Sequence, residues 1–524
     1  MNETDIAALG NALWKKAAES PDNYEANRDF AQFCIDNLHV SFEIIDLAQQ
    51  HIAKTLSFGR QGPETEQFLI TLADIFQLRG DFAEESNVLK AILSLYPNDL
   101  TYLRRLGFSL HNQGNIREAS TVFQQGEMID HETAKKACQQ NGMPFTRIIA
   151  QDHDPAGHIG ELAVTLDLYI KSRELGHTGH FGDDADIVFL ADKQKTANWA
   201  LAEYWMDKFT IISDPETLGE HRKKLGKSVI TTDFFQVQGN ITLHMELAAR
   251  ALQMEWEAKE FPPLLKVKES HIKKGKDFLR SHGAPEDAWF AALHVREGGY
   301  HAWVQQSPFT KYRSADIQSY LPAIKKITDR GGWVVRLGDP SMCPLPEMPN
   351  VIDYAHSEHR EDWLDIFFMG AARFFIATPS GPYNVSAVFG VPAVGTNWIP
   401  FVTWPFSRHD VFIPRLLRST ESGELLTVRQ TLTPPFLHSY SGFVLGLHKV
   451  EACDSTEDEI EDAVNEMMDR LDGVHISTDE DENLQRSFRA QVIEFGGETV
   501  ELCKGLPDSR ICTAFLKKHR QILE

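Results

Sequence analysis

The spacing of apolar residues divides the chain into a helical part and a part in which strands and helices alternate. Up to residue 138, apolar side chains recur mainly every three or four positions, which is the period of an amphipathic helix. From residue 139 onward, short apolar runs of strand length alternate with helical segments. Strands that alternate with helices usually pair in parallel and are covered by those helices. The pattern therefore predicts an all-α segment followed by α/β domains.

The helical part contains an internal repeat. Gly80 and Gly114 lie 34 residues apart, and a period of about 34 is typical of tetratricopeptide helix pairs. Two repeats are fewer than a free-standing array needs, so we expect this segment to pack on the next domain. It would act either as a structural or dimerising cap or as a groove for a protein partner or acceptor. The same offset separates two apolar pairs, Phe68 with Tyr102 and Leu72 with Leu106.

The first alternating region spans residues 139–285. We predict strands at 145–150 and 186–191, with a helix at 161–175 between them. The sequence Gly283-Ala284-Pro285 marks the end of this domain, because regular structure rarely continues through such a break.

A second alternating region covers residues 286–440. Pro322 should kink or interrupt the first of its predicted helices. In the last region, 441–524, Thr456 and Glu459 form a capping-box pattern before an amphipathic helix that stops at Gly473. We expect this last region to pack back across the domains. The predicted strands of the second alternating region are 289–295, 333–337, 373–378 and 393–396, and the predicted helices are 314–330, 362–372 and 382–389.

Two Rossmann-like halves form a ligand crevice at the carboxyl ends of their parallel strands. Arg296 follows a predicted strand, and a guanidinium in that position can hold a diphosphate through two parallel hydrogen bonds. We assign its neighbours His294 and Glu297 to the same donor site, together with Gly338 and Asp339 after the next strand. The alternative is a structural arginine paired with Glu297 or Asp339.

A second loop, Thr378 to Asn384, joins a predicted strand to a helix. The first amides of a helix and a nearby hydroxyl form an anion site of the kind that phosphates occupy. Ser380, Gly381 and Asn384 are therefore candidate donor-binding residues. Asn397, after the following strand, would line the same cleft. The alternative is an ordinary helix cap.

A third loop precedes the predicted helix 161–175 in the first half. Gly157 and Gly160 allow the backbone to approach a ligand closely. His158 and Glu161 are candidates for acceptor binding, or for the general base that deprotonates an acceptor hydroxyl.

Several motifs are absent from the sequence. No GxGxxG follows a strand, and there is no GxxxxGK[ST] loop or HExxH, which disfavours dinucleotide, P-loop and zinc-protease chemistry. The pairs Asp152-x-Asp154 and Asp184-x-Asp186 imitate a metal-binding DxD, but such short acidic patterns arise easily in loops. We therefore expect neither a metal ion nor a cofactor.

Composition restricts the partners and the compartment. The formal charge of −23 disfavours an extended nucleic acid or an anionic bilayer, so any phosphate site has to be local. The six cysteines form no CxxC pair, which fits a reducing compartment. The first residues lack the pattern of a secretory signal, and the longest apolar stretch is interrupted by Asp365 and Arg373. A cytoplasmic protein without a membrane span is expected.

Four segments of the chain resemble a bacterial family assigned to glycosyl transfer, whose members occur with surface-polysaccharide genes and often carry tetratricopeptide segments. The resemblance covers most of residues 141–440. More distantly, the motifs are similar to those of α1,6-fucosyltransferases and protein O-fucosyltransferases, which are inverting, metal-independent enzymes of the GT-B fold. The resemblance implies a GT-B pair of Rossmann-like domains behind an N-terminal tetratricopeptide-like segment. The four segments are residues 292–297, 352–355, 363–367 and 374–381.

The resemblance also implies roles for single residues on the donor side. His294 and Arg296 match an HxR motif whose arginine binds the donor diphosphate. Asp365 matches an acidic helix residue near the donor base or ribose, and Ser380 matches a serine that contacts phosphate. Glu297 stands where fucosyltransferases often carry a basic residue, a departure that bears on which sugar is moved.

On the acceptor side, Gly157-x-x-Gly160-Glu161 matches the glycine-rich loop of the family, with Glu161 nearest the acceptor. The hypothesis is an inverting displacement at the anomeric carbon of a nucleotide sugar, with Arg296, His158 and Glu161 as the catalytic residues. The acceptor is a protein or a glycan. The alternative is a non-catalytic tetratricopeptide scaffold with a sugar-nucleotide-binding or degenerate Rossmann pair.

Overall fold

The computed structural model divides into two compact units, residues 1–113 and 114–524. The four domains predicted from the sequence, 1–138, 139–285, 286–440 and 441–524, stay a prediction. The described residues are 3–37, 42–60, 62, 64–150, 157–177, 186–226, 233–297, 311–402, 404–405, 407–438 and 441–524.

The first unit is helical throughout its described length. Its buried core includes Phe30, Ile52 and Phe68. Gly80 ends the fourth helix at a φ of 72°, a left-handed conformation that favours glycine and was expected at this turn. The tetratricopeptide assignment itself stays a prediction. The helices are α1 (Glu3–Glu19), α2 (Tyr24–Asp36), α3 (Phe42–Ser57), α4 (Thr65–Arg79), α5 (Phe82–Leu95) and α6 (Leu100–Asn112).

The second unit starts with the long helix α7 (Ile116–Gln140), which leads into a parallel sheet of three strands in the order β1-β2-β3. A hairpin of two strands and two further helices complete this half. The strands are β1 (Thr146–Ala150), β2 (Asp186–Leu190), β3 (Thr210–Ile212), β4 (Phe234–Val237) and β5 (Ile241–His244), and the helices are α8 (Ile159–Glu174), α9 (Trp199–Trp205), α10 (Pro215–Leu225), α11 (Met245–Ala258) and α12 (Glu269–Ser281).

The second half is built on a parallel sheet of seven strands, in the order β14-β11-β10-β9-β6-β7-β8. The central strands are buried along their whole length, which explains their continuous apolar runs. The strands are β6 (Phe290–His294), β7 (Trp333–Arg336), β8 (Val351–Ile352), β9 (Phe374–Ala377), β10 (Ala393–Trp398), β11 (Val411–Pro414) and β14 (Arg510–Ile511), and the helices between them include α13 (Leu321–Asp329), α14 (Asp362–Ala371) and α15 (Gly381–Val388).

The C-terminal region returns to this sheet, because β14 pairs in parallel with β11. The predicted capping box is confirmed, since the Thr456 hydroxyl and the Glu459 carboxylate bond reciprocally at the start of α18. Gly473 follows that helix at a φ of 72°. The remaining elements are β12 (Leu417–Ser419), β13 (Val450–Ala452), α16 (Val428–Thr431), α17 (Gly442–Leu447), α18 (Glu457–Leu471), α19 (Asp479–Gly496), α20 (Glu498–Glu501) and α21 (Thr513–Lys518).

One predicted helix is shorter than expected. The segment 314–330 begins with a 3-10 turn, Ile317–Tyr320, and becomes α-helical only at Leu321. Pro322 therefore lies in the first turn of α13 and causes no kink, since the first amides of a helix have no partner within it.

The fold is of the predicted α/β class, with two parallel sheets in the second unit and an N-terminal helical unit before them in the chain. Within the part of the chain that the structure describes, no helix has both the length and the apolar character to cross a membrane.

Candidate functional site

The strand order of the large sheet identifies where a ligand site is expected. From the central strand β6 the chain proceeds to β7 and β8 on one side, and then returns to β9 and β10 on the other. In open parallel sheets, ligands bind outside the carboxyl ends of the strands at such a reversal. The carboxyl ends of β6 and β9 carry the predicted residues His294, Arg296 and Ser380.

His294 and Ser380 are in direct contact. A hydrogen bond of 3.1 Å joins His294 Nδ1 and Ser380 Oγ. Burial, together with the charges of Arg336 and Arg296, lowers the pKa of His294 to about 4, so this imidazole is neutral at pH 7. The Ser380 hydroxyl makes no capping bond to α15, the helix that it precedes. The two side chains therefore form a connected pair that bridges β6 and β9.

The backbone of Arg296 is held at the same reversal. Its amide donates to Thr378 Oγ1 at 3.0 Å, and its carbonyl accepts from the Ala315 amide at 2.9 Å. The half-buried guanidinium is close enough to affect the pKa of His294 and that of Tyr312. The backbone of Arg296 is thus fixed at the carboxyl edge of the sheet, close to His294 and Tyr312.

The first turns of α8 and α15 meet backbone to backbone. A Cβ atom built on Gly160 would lie 2.5 Å from the Cα of Gly381, and one built on Gly381 would lie 2.9 Å from the Gly160 amide nitrogen. The Asn384 side-chain nitrogen would be 3.1 Å from the Gly160 Cβ. Each helix start carries partial positive charge and unsatisfied amides. Two glycines therefore bring two such ends together, one from each half.

The acceptor-side residues lie on the first turn of α8. His158 Nδ1 and Glu161 Oε2 are 3.8 Å apart, and their side chains are 58% and 45% exposed. Gly157 lies just before this turn. The acidic residues Asp152, Asp154 and Asp184 are outside the described residues.

Tyr312, Arg313 and Arg415 join this region without having been predicted. Arg313 Nη2 donates to the Pro379 carbonyl at 3.1 Å, and Arg415 Nη2 donates to the Ser314 carbonyl at 3.1 Å. Burial raises the pKa of the Tyr312 phenol, and the charges of Arg313, Glu246 and Arg296 also act on it. Arg415 follows β11 as Arg296 follows β6, and this position was the signal that sequence reasoning could have used.

Glu297 pairs with the buried Arg336, and its assignment to the donor site stays a prediction. Arg336 is fully buried, and its guanidinium donates to Glu297 Oε1 at 3.4 Å and to Asp353 Oδ1 at 3.1 Å. Glu297 Oε2 accepts from the Cys343 amide at 2.7 Å. A buried charge requires such a partner, so Glu297 neutralises Arg336.

Gly338 and Asp339 form a tight turn after β7. Gly338 has a φ of 152°, and a Cβ there would lie 2.5 Å from the Met342 sulfur. Asp339 Oδ1 accepts from the Ser341 amide at 2.9 Å. These contacts explain both residues locally, and their role in donor binding stays a prediction.

Asn397 does not line the cleft, contrary to the sequence-based expectation. It lies within β10 and not beyond its end, and its side chain is fully buried. Its Oδ1 accepts from the Ser455 amide at 2.8 Å, and its Nδ2 donates to the Tyr320 hydroxyl at 3.3 Å. The strand continues two residues further than the apolar pattern indicates, and this places the amide in the core.

Asp365 lies on the first turn of α14, at the carboxyl edge of the sheet. Burial is the main reason that the pKa of this carboxyl is raised to about 7; the charge of Asp362 also raises it, and that of Arg360 partly offsets both. Asp365 therefore changes its charge near neutral pH.

We expect Asp365→Asn to change how stability depends on pH. The folded protein binds this proton more tightly than the unfolded chain, whose aspartate pKa is about 4. The contribution of Asp365 to the free energy of unfolding thus falls as pH rises from about 4 to about 7, and is constant above. As pH rises from about 4 to about 7, the free energy of unfolding of the variant should therefore increase relative to that of the parent. Curves that stay parallel would contradict the assignment.

In comparisons of sequence, no protein-family model and no curated protein matches the chain. One similar solved structure is a glycosyl transferase family 9 protein from Veillonella parvula DSM 2008, at 12% identity and a TM-score of 0.30, covering 48% of this chain and 80% of that one. Another is an O-GlcNAc transferase variant from Thermobaculum terrenum, at 12% identity and a TM-score of 0.21, covering 99% and 94%. Both neighbours are glycosyltransferases by name.

Proposed function

We propose that the chain is a glycosyltransferase that moves a sugar from a nucleotide-sugar donor to a protein or glycan acceptor. The observation that supports this most is the meeting of two helix starts, at Gly160 and Gly381, beside Arg296 at the reversal of the large sheet. Neither a metal ion nor a cofactor is part of the proposal.

The proposed site suits a diphosphate leaving group. As the bond from the anomeric carbon to the diphosphate breaks, negative charge accumulates on the departing oxygen. The Arg296 guanidinium and the first amides of α15 stabilise that charge more strongly in the transition state than in the bound donor. The arrangement needs no large rearrangement at this step, since the Arg296 backbone is already held by Thr378 and Ala315.

His294 and Ser380 orient the donor in this proposal. The imidazole is neutral, so it offers one hydrogen bond to a phosphate or ribose oxygen without adding a positive charge. Its bond to Ser380 helps to hold the ring in place.

The acceptor hydroxyl attacks the anomeric carbon from the face opposite the diphosphate, which inverts the configuration. Glu161 takes the proton of that hydroxyl, and His158 lies close enough to orient the carboxylate. Closure of the two halves would exclude water, whose attack on the donor is the competing reaction.

A thermal-melting screen tests donor binding. At a ligand concentration about 100 times its dissociation constant, the free energy of unfolding should rise by about 2.7 kcal/mol. We expect UDP-, GDP-, CMP- or dTDP-sugars of one nucleotide family to raise the melting temperature, and the responding family identifies the base. If no nucleotide sugar shifts the melting temperature, a non-catalytic scaffold replaces this proposal.

A further inference from the structure

A strongly basic surface interrupts this acidic chain. Between residues 264 and 282 there are six lysines or arginines against two acidic residues, although the whole chain carries a formal charge of −23. The helix α12 forms most of this segment, and its lysines are exposed. Such a concentration of one sign of charge attracts ligands of the opposite sign.

Two lysines of this segment and Lys193, which lies outside it, are positioned over aromatic rings. The distances from Nζ to the ring centroid are 5.4 Å for Lys193 over Trp199, 4.6 Å for Lys268 over Tyr204 and 5.6 Å for Lys274 over Trp363. Each of the three lysines is exposed, and among the described residues none forms an ion pair with a carboxylate. Both tryptophans are partly exposed. We call these six residues the lysine–aromatic surface.

His271 connects parts of this surface. Its Nδ1 is 2.8 Å from the Tyr204 hydroxyl, and its ring centroid is 5.4 Å from that of Trp363. His271 therefore links the Tyr204 ring to the Trp363 ring.

The lysine–aromatic surface adjoins the proposed catalytic crevice. Trp199 starts α9, after the carboxyl end of β2, and Trp363 lies in the first turn of α14, after the carboxyl end of β8. The Trp199 amide donates to Asp362 Oδ2 at 2.9 Å, which joins the two turns. Asp365 belongs to the same first turn of α14. The surface thus extends from the junction of the two halves outward along α12.

We propose that the lysine–aromatic surface binds an acidic glycan, as the distal part of the acceptor of the transfer reaction. The carboxylate or phosphate groups of such a glycan pair with the lysine ammonium groups, while its sugar rings lie against the partly exposed tryptophan faces. This inference rests on the proposed function, and it selects the glycan among the two acceptor classes.

Two other polyanions fit less well. A membrane surface is usually approached through exposed apolar side chains, and no large apolar residue described on α12 is exposed. A nucleic acid would also use lysines and aromatic rings, but it would extend beyond the surface over a protein with an overall charge of −23. A short acidic glycan needs only the local charge.

The test measures binding without any donor, by calorimetry on the full chain, with a polygalacturonate oligosaccharide as the probe and a neutral dextran oligosaccharide beside it. The test variant is Lys193→Glu, Lys268→Glu and Lys274→Glu combined. The matched control is Lys136→Glu, Lys223→Glu and Lys224→Glu combined, which changes the net charge equally. Lys223 and Lys224 lie at the end of α10, and Lys136 lies near the end of α7, all toward the amino edge of the small sheet.

We expect the parent and the control to bind polygalacturonate, and the test variant to bind it about tenfold more weakly or not at all. Dextran should not bind, and salt should weaken the polygalacturonate complex. Trp199→Ala, which keeps every charge, should also weaken binding. The inference is overturned if the parent does not bind polygalacturonate or if both triple variants lose affinity equally. It is also overturned if a single-stranded oligonucleotide or phosphatidylglycerol vesicles bind more tightly through the same lysines. Arg296→Ala should keep its glycan affinity, so failure of donor binding and failure of this inference are distinguishable.

Discussion

Arg296→Ala is expected to lower the rate of sugar transfer by about 100-fold or more, because it removes the cation that the proposal assigns to the leaving group. Loss of a single group that stabilises a developing oxyanion typically lowers kcat by about 100- to 1,000-fold. The backbone hydrogen bonds of Arg296 to Thr378 and Ala315 do not involve its side chain, so they should persist in the variant. Steady-state transfer kinetics, with the donor found by thermal melting, measure the effect.

Two variants sharpen this experiment. Arg296→Lys keeps the charge but loses the planar pair of donors, so it should recover only part of the activity. Arg373→Ala removes an arginine that stacks on Trp289 at 4.7 Å and pairs with Asp472 at the amino end of β9. It should leave the transfer rate near that of the parent. Full activity in a folded Arg296→Ala protein would remove the basis of the proposed mechanism.

The second large effect is expected from Gly160→Ala. Its methyl group would be built 2.5 Å from the Cα of Gly381, where backbone and not a flexible side chain has to move. Overpacking of this kind typically costs about 1–3 kcal/mol. Because the strain falls on the contact between α8 and α15, donor affinity should decrease together with the free energy of unfolding. Melting temperature and donor titration measure the two quantities.

Gly381→Ala probes the same contact from the other half, with a Cβ 2.9 Å from the Gly160 nitrogen, and should have a similar effect. Gly219 is the matched control, because it is exposed within α10 and a Cβ there meets no atom within 4 Å. Gly219→Ala should be neutral or stabilising by up to about 1 kcal/mol through helix propensity. If Gly160→Ala behaves like Gly219→Ala, the two helix starts do not pack as described.

Short-range pattern was sufficient for much of the fold. The bounds of β6, β7 and β9 and of α8 and α14 agree with their predicted ranges within a few residues, because the period of apolar positions and the cap residues are local properties. The capping box at Thr456 could be predicted for the same reason. Pro322 marks an interruption and not a kink, the second of the two outcomes expected, because the 3-10 turn Ile317–Tyr320 ends and the α-helix begins beside it.

Only part of the candidate site could be predicted from the local sequence pattern. The loops after β6 and β9 could be chosen, because a strand followed by a helix exposes amides and side chains at a carboxyl edge. The contacts of Glu297 and Asn397 could not be predicted in this way, because their partners Arg336 and Ser455 are remote in sequence. The lysine–aromatic surface could not be predicted from the sequence, because its residues match no motif. The negative net charge of the chain even argued against a site for anionic ligands.

By itself, the amino-acid sequence determined the types of the elements, their order, and the presence of an arginine, a serine and paired glycines at strand or helix ends. Only the tertiary structure decided which of these meet. It set the strand order that brings His294 to Ser380 and the packing that presses Gly160 against Gly381. The physical reason is that secondary structure follows from interactions a few residues apart, whereas a site at a sheet reversal depends on how distant segments bury their apolar faces against each other.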